Sequence, residues 1–236
     1  MFAVVFVVQP RKECWDQYLE LAKELKPVLE GIEGFLDNER FGSKRHKGRL
    51  LSLSTWRDEK AVIRWRTQAR HHSVQEEGRF HVFADYHLRV GEIVSDDRPP
   101  PGLAVAEKRF DETETGVAKA LAITEVASRG GGGLAAEPDE LPAHLGLSSS
   151  ANGLVDQEIF ESIYSKGKLL LLTSWTDAVA ASRWTPTPFA GAGELRHRRV
   201  RVIRDYGMFD RREAPQFYPE AERANAAGQG EKASRA

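Results

Sequence analysis

With 236 residues, 41% hydrophobic and 29% charged, the chain is long enough for one large domain or two small ones around a buried core. Its 34 basic residues against 35 acidic leave a net charge of −1, which argues against a general nucleic-acid binder, and the single cysteine, Cys14, excludes an intrachain disulfide or a thiolate metal cluster. No apolar run has the length of a membrane span, and the start lacks the charged-then-apolar-then-small order of a secretory leader. A cytoplasmic protein without a membrane or nucleic-acid partner is therefore expected.

In chain order, Ala3–Val8 is a short β-branched run that predicts a strand covered on both faces. From Lys12 the period becomes helical, with Trp15, Leu19, Ala22, Leu25, Leu29 and Ile32 on one stripe and Pro27 expected to kink or restart the helix. Gly31 and Gly34 end it, and Phe35–Phe41 predicts a second strand. A basic turn, Lys44 to Gly48, leads into a third strand, Arg49–Trp56. Asp58 is placed to cap a helix that starts near Glu59. A last strand is predicted through Phe80–Ile93.

The chain then repeats itself. GFLDNERFGSKRHKGRLLSLSTW at 34–56 aligns without a gap with GLVDQEIFESIYSKGKLLLLTSW at 153–175, and across 34–65 and 153–184, 15 of 32 positions are identical. Asp85-Tyr86 recurs as Asp205-Tyr206 after one residue of slip. Each copy reads β-α-β-β-α-β, the ferredoxin-like order. The predicted architecture is α+β: two ferredoxin-like domains in tandem, 1–94 and 119–212, joined by a proline-bearing linker at 95–118. Their sheets are expected to pack face to face as an intramolecular pseudo-dimer, a dimeric α+β barrel, with a further homodimer left open. Residues 213–236 form an extension whose Ala/Gly/Glu/Lys-rich end predicts disorder.

The second copy has lost what looks chemical in the first. Gly130–Gly133, Pro138 and Pro142 leave room for only a short first helix, Thr185-Pro186-Thr187-Pro188 interrupts the second, and His71, His72, His81 and His87 have no counterparts. A pocket is therefore expected in the first copy. On the helix after Trp56, Trp65, Ala69 and His72 are spaced at i, i+4 and i+7 and share one face, and an indole beside an imidazole could hold a flat aromatic molecule or a haem. His72 is the candidate base, with Asn38 and Arg79 as groups that polarise a substrate oxygen. Trp65, Trp56, His71 and Tyr86 are the candidate substrate contacts. The alternatives are equally physical: Trp65 as core, His72 as a surface residue, Asn38 as a solvated edge, Arg79 as a helix cap. His81, Asp85, His87 and Arg89 alternate along the predicted last strand, but residues two apart on one strand converge poorly on an ion, so no metal site is expected. No phosphate-binding glycine loop, nucleophile elbow or zincin motif is present.

The strand LLSLSTW followed by RDEKAVIRW, then RTQARHHSVQEEGR and FADYHLRV, resembles the antibiotic-biosynthesis monooxygenase-like superfamily over residues 1–94, and LLLLTSWTDAVAASRW and VIRDYGMFD resemble it in part over about 120–210. That resemblance implies a dimeric α+β barrel and two activities. One is cofactor-independent oxygenation of phenols or anthrones, in which the substrate itself activates oxygen. The other is haem degradation, which uses an Asn, a Trp and an axial His. Trp65 matches the tryptophan, whereas His72 falls before the axial position, Gln75 lies nearer it, and the first strand AVVFVVQ has no Asn. The expected function is thus a cofactor-independent monooxygenase acting on a small hydrophobic or aromatic molecule. Haem binding or degradation is the first alternative, and a non-catalytic small-molecule-binding or assembly protein the second.

Overall fold

The computed structural model describes residues 1–128 and 138–221. Its first half runs β1 (Phe2–Pro10), α1 (Trp15–Glu30), β2 (Phe35–Ser43), β3 (Leu50–Trp56), α2 (Glu59–Thr67), α3 (Ala69–Glu77) and β4 (Phe83–Asp96). The second runs β5 (Ala120–Ser128), α4 (Leu141–His144), β6 (Leu154–Ser162), β7 (Lys168–Trp175), α5 (Ala178–Ser182) and β8 (Ala192–Gly207). The tetraglycine Gly130–Gly133 and the end of the C-terminal extension lie outside the described residues.

The eight strands close one antiparallel barrel in the order β1-β3-β2-β6-β7-β5-β8-β4. Each half contributes four strands in the same order, β4-β1-β3-β2 and β8-β5-β7-β6, and hydrogen bonding continues across both seams. One seam is the short β2–β6 pairing from Phe41↔Ser162 to Ser43↔Phe160, and the other is the long β4–β8 pairing from His87↔Gly207 to Asp96↔Arg198. Closure leaves no sheet edge among these strands.

Alternation along the strands sorts side chains to the two sides of the barrel wall. Ala3 and Val5 point inward, where they join Phe41, Leu51, Leu53, Ile93, Leu121, Ile123, Phe160, Leu170, Leu172, Val200 and Val202 in one buried cluster drawn from both halves. The barrel interior is therefore a packed core. At one end it passes into a buried ion network, in which Glu125 pairs with Arg198 and Lys168, and Lys168 also with Glu39. The other alternate residues, Phe2, Val4, Phe6 and Val8, point outward towards the helices.

Two local expectations change. Helix α1 continues through Pro27, which lies in its last turn, so the bond forfeited to the Lys23 carbonyl is followed by only three more helical residues. The helix after Asp58 does not continue: it breaks at Gln68, whose ψ of 127° is extended. Asp58 caps α2 by accepting from the Ala61 N–H at 2.9 Å, and Gln68 caps α3 by accepting from the His71 N–H at 2.7 Å. A π-helical turn, Gly78–Val82, precedes β4, so His81 is not on the strand and the polar row shortens to Asp85, His87 and Arg89. His87 pairs with Asp205 at 2.5 Å, and Arg89 donates to Ser174 at 2.8 Å. Among the described residues no cluster of metal-ligating side chains is present, and no helix is long and apolar enough to cross a membrane.

Candidate active site

The outward face of the first-half strands and helices α1 to α3 enclose a cavity of about 210 Å³. Its floor is Val4, Phe6, Ser52, Ser54, Leu88 and Val90, its roof Leu21, Leu25, Val62, Trp65, His71 and Val74. The repeat shows why the space exists here. Ser52 and Arg40 occupy positions held in the second half by Leu171 and Ile159, which are fully or almost fully buried. There Leu141, Leu145, Leu147 and Trp184 close over them around Trp175. Small and polar floor residues leave a void under the first-half helices, and large apolar ones fill its counterpart.

An aromatic stack forms the roof. Trp56 is fully buried, donates its indole N–H to Ser54 Oγ at 2.9 Å, and stacks on Trp65 at 6.4 Å and 29°. Trp56 thus supports Trp65 from behind and is not itself in the cavity wall. Trp65 stacks in turn on His71, ring centroids 3.8 Å apart and 14° from parallel. His71 Nδ1 lies 2.9 Å from the Trp65 carbonyl oxygen. A carbonyl only accepts, so Nδ1 carries the proton and Nε2 keeps its lone pair. Burial pushes the imidazole down to about 4, so the ring is neutral at physiological pH.

The break at Gln68 decides which histidine reaches the cavity. With a continuous helix His72 would share a face with Trp65. With α3 restarted, His71 lies against the indole, and His72 is exposed, its Nδ1 3.1 Å from the Tyr218 hydroxyl. The expected Trp65–His72 face is therefore replaced by a Trp65–His71 stack.

Three further predicted residues line the cavity, each with its polar atoms differently engaged. Asn38 donates its amide N–H groups to Ser52 Oγ at 3.0 Å and the Leu53 carbonyl at 3.1 Å, which leaves its oxygen, an acceptor, for a ligand hydroxyl. Arg79 is almost wholly buried and donates to the Met208 carbonyl at 2.7 Å, the Pro219 carbonyl at 3.0 Å and the Tyr86 hydroxyl at 3.3 Å. Its donors hold the C-terminal segment, a use the sequence reading did not include. The Tyr86 hydroxyl also accepts from Arg211 at 2.5 Å. With two guanidinium donors on its lone pairs, Tyr86 has its own proton to give.

What sequence reasoning missed is the end wall. Arg204 and Tyr206 from β8, then Arg211, Pro215, Gln216 and Tyr218, complete the cavity from the far end of the chain. Gln216 donates to the Arg66 carbonyl at 3.2 Å, and Arg211 lies over the rings of Tyr206 and Tyr218 at 5.7 and 5.1 Å. Pro215, Phe217, Tyr218 and Pro219, set against the Ala/Gly-rich tail, were the available signal.

The chain is thus an α+β barrel with a small, mostly apolar cleft under the helices of one half, roofed by an indole–imidazole stack. The profile of the antibiotic biosynthesis monooxygenase family matches residues 1–77. The jasmonate monooxygenase ABM of Pyricularia oryzae is 42% identical over 226 residues, covering 94% of this chain and 100% of the relative. The chain belongs to the antibiotic biosynthesis monooxygenase family. Among solved structures, an anthrone oxidase-like protein is 14% identical with a TM-score of 0.33, covering 91% of this chain and 96% of its own. A heme-binding protein of Thermus thermophilus is 13% identical with a TM-score of 0.28, covering 85% and 90%. Similarity at that level carries no inference about chemistry.

Proposed function

We propose that the chain is a cofactor-independent monooxygenase acting on a small hydrophobic or aromatic molecule bound in the first-half cleft. The observation that carries this is the neutral His71, its Nε2 lone pair free and its ring stacked on Trp65 in the wall of an apolar cavity. A base whose conjugate acid lies near pH 4 takes only a proton already made acidic, as at a carbon between a ring and a carbonyl or at a phenol. In this reading His71 removes such a proton. The resulting anion gives an electron to dioxygen and recombines with it as a peroxide, protonated from His71. The peroxide then loses water, so that a methylene and one O₂ become a carbonyl and one H₂O. The Asn38 oxygen accepts from a substrate hydroxyl, and Tyr86 donates to the oxygen on which charge develops. The Pyricularia relative, named for a monooxygenase reaction, supports this class of chemistry.

The residues do not fit a haem. His72 is engaged by Tyr218, His71 lies flat on Trp65, and 210 Å³ is the volume of about seven water molecules, so a macrocycle would displace the roof. The common strand order and the ungapped repeat support a tandem origin, units 1–94 and 119–212 with a linker at 95–118, the second unit serving as permanent partner to the first.

The test is oxygen uptake and ¹⁸O incorporation from ¹⁸O₂ with a panel of anthrones, phenols and jasmonate, using wild type, His71→Ala and His72→Ala. We expect turnover in wild type and His72→Ala, and a loss of about 100-fold or more in His71→Ala. Undiminished turnover in folded His71→Ala, or no label incorporated from any member of the panel, would sink the reading.

A further inference from the structure

The cleft carries far more positive charge than its own side chains neutralise. Lys26, Arg40, Arg66, Arg79, Arg204 and Arg211 line it, and the single acid in the lining, Glu59, is paired with Arg109 at 2.5 Å. Elsewhere arginines find carboxylates: Arg57 pairs with Glu33, Arg70 with Glu24, Arg196 with Asp96. None of the five cavity arginines has an ion-pair partner among the described residues. Three of them, Arg40, Arg66 and Arg79, also bury an Nε–H without a hydrogen-bond partner. Arg79 is buried and the other four are half-buried, so gathering them without anions costs solvation.

The arginines differ in how far the protein already uses them. Arg79 and Arg211 spend donors on Tyr86 and on carbonyls of the C-terminal segment, and Arg40 donates to the Tyr164 hydroxyl at 3.2 Å. The Arg66 guanidinium makes no hydrogen bond among the described residues, and Arg204 makes only a 3.5 Å contact with the Glu213 carbonyl. Tyr206, 8% exposed, stands two residues from Arg204 on the cavity face of β8, paired with Leu88 as Arg204 is with Val90, and Arg211 lies over its ring at 5.7 Å. Tyr206 belongs to the cavity wall. Two guanidinium groups with donors to spare and a tyrosine hydroxyl thus line one pocket together with the apolar Val4, Phe6 and Trp65.

The geometry points to a carboxylate subsite: Arg66, Arg204 and Tyr206 hold the carboxylate of an amphipathic acid whose apolar body lies along Val4, Phe6 and Trp65. A planar fork matches a carboxylate in two parallel hydrogen bonds, and the cavity leaves room for one ring and a short chain behind it. The assignment deepens the proposed oxygenase reading and rests on the same cleft. It orients the substrate, with the acid at the tail end and the apolar portion under the Trp65–His71 stack.

Matched pairs of acid and ester test it by calorimetry: jasmonate with its methyl ester, and 1-naphthylacetate with its methyl ester. The proteins are wild type, Arg66→Gln, Arg204→Gln and Tyr206→Phe, with Arg66→Lys as a charge-keeping control checked for its melting temperature. We expect at least one acid to bind wild type tenfold or more tightly than its ester, with the preference reduced at 0.5 M NaCl. Arg66→Gln and Arg204→Gln should each remove most of that preference while leaving ester affinity within twofold, and Arg66→Lys should keep part of it. Acid and ester binding equally would overturn the subsite while leaving the oxygenase reading standing. So would inorganic phosphate competing as well as the acid, which would make the site one for phosphate. Binding of neither member of either pair would count against both.

Discussion

Packing the His71 imidazole flat against Trp65 fixes its tautomer and its charge together, and the charge has a thermodynamic signature. The folded group lies near pH 4 against 6.5 in an unfolded chain, because burial disfavours the cation and neighbouring His72 adds to the effect. Above pH 6.5 both states hold the neutral ring and His71 contributes nothing to the pH dependence. Between 6.5 and 4 the unfolded chain takes up a proton that the folded one refuses, so stability falls as pH falls, and the loss is complete below about 4. His197 is buried beside Thr124 and lies near 4 as well, so it contributes with the same sign. Replacing His71 by Gln should therefore flatten, without abolishing, the decline of Tm between pH 6.5 and 4, by roughly 1–3 kcal/mol across the window. Thermal melts at half-unit steps read this directly, and identical slopes in the two proteins would mean that the ring is solvated.

At the scale of elements, the same small device appears twice. Gly34 and Gly153 have φ of +90° and +84°, and a Cβ there would stand 2.7 Å from Ala61 Cβ and 2.5 Å from Ala180 Cβ. Each glycine carbonyl accepts from the residue that follows β3 or β7, Arg57 or Thr176, at 2.8 Å, and Asp58 or Asp177 caps the adjoining helix. Gly34→Ala should cost about 2–4 kcal/mol, combining left-handed strain with the clash, and should weaken ligand binding because it displaces the start of α2, which carries Trp65. Gly153→Ala should cost a similar amount and leave the cleft's affinity alone. Denaturant titration with ligand binding on both variants checks the contrast, and equal binding losses would refute it. Such local devices were legible in the chain, since Gly34, Asp58 and the repeat each carry their own signal. The break at Gln68 was not: it has neither Gly nor Pro, and one residue of helical phase moved the site from His72 to His71. The empty floor was half legible, through Ser52 against Leu171, whereas the end wall depends on pairing β4 with β8, more than a hundred residues apart, which no local pattern encodes.

For the whole molecule, a packed barrel separates stability from function. The interior core draws on both halves, and the cleft lies outside the wall, formed by helices and by the returning chain end. That division makes the C-terminal segment dispensable for the barrel and necessary for the site. Glu213 ties the segment down by accepting from Thr113 Oγ1 and from the Thr115 and Asp205 N–H groups, at 2.6 to 3.1 Å. Beyond it, Gln216 and Tyr218 touch α2, α3, Phe80 and the Arg residues of the cavity end. A chain ending at Ala214 keeps the Glu213 tie and Arg211 but loses the wall, and leaves Arg79 without the Pro219 carbonyl. Its stability should fall by only about 1–2 kcal/mol, the cost of that lost hydrogen bond and of a few half-buried contacts. Affinity for any ligand of the cleft should fall tenfold or more, because the cavity then opens to water at its charged end. Circular dichroism melts together with the acid and ester titrations separate the two quantities. A truncated chain that melts with the wild type and binds as tightly would show that the segment merely rests on the surface. One that fails to fold would show that the barrel needs it, and either result would undo the separation of scaffold from site.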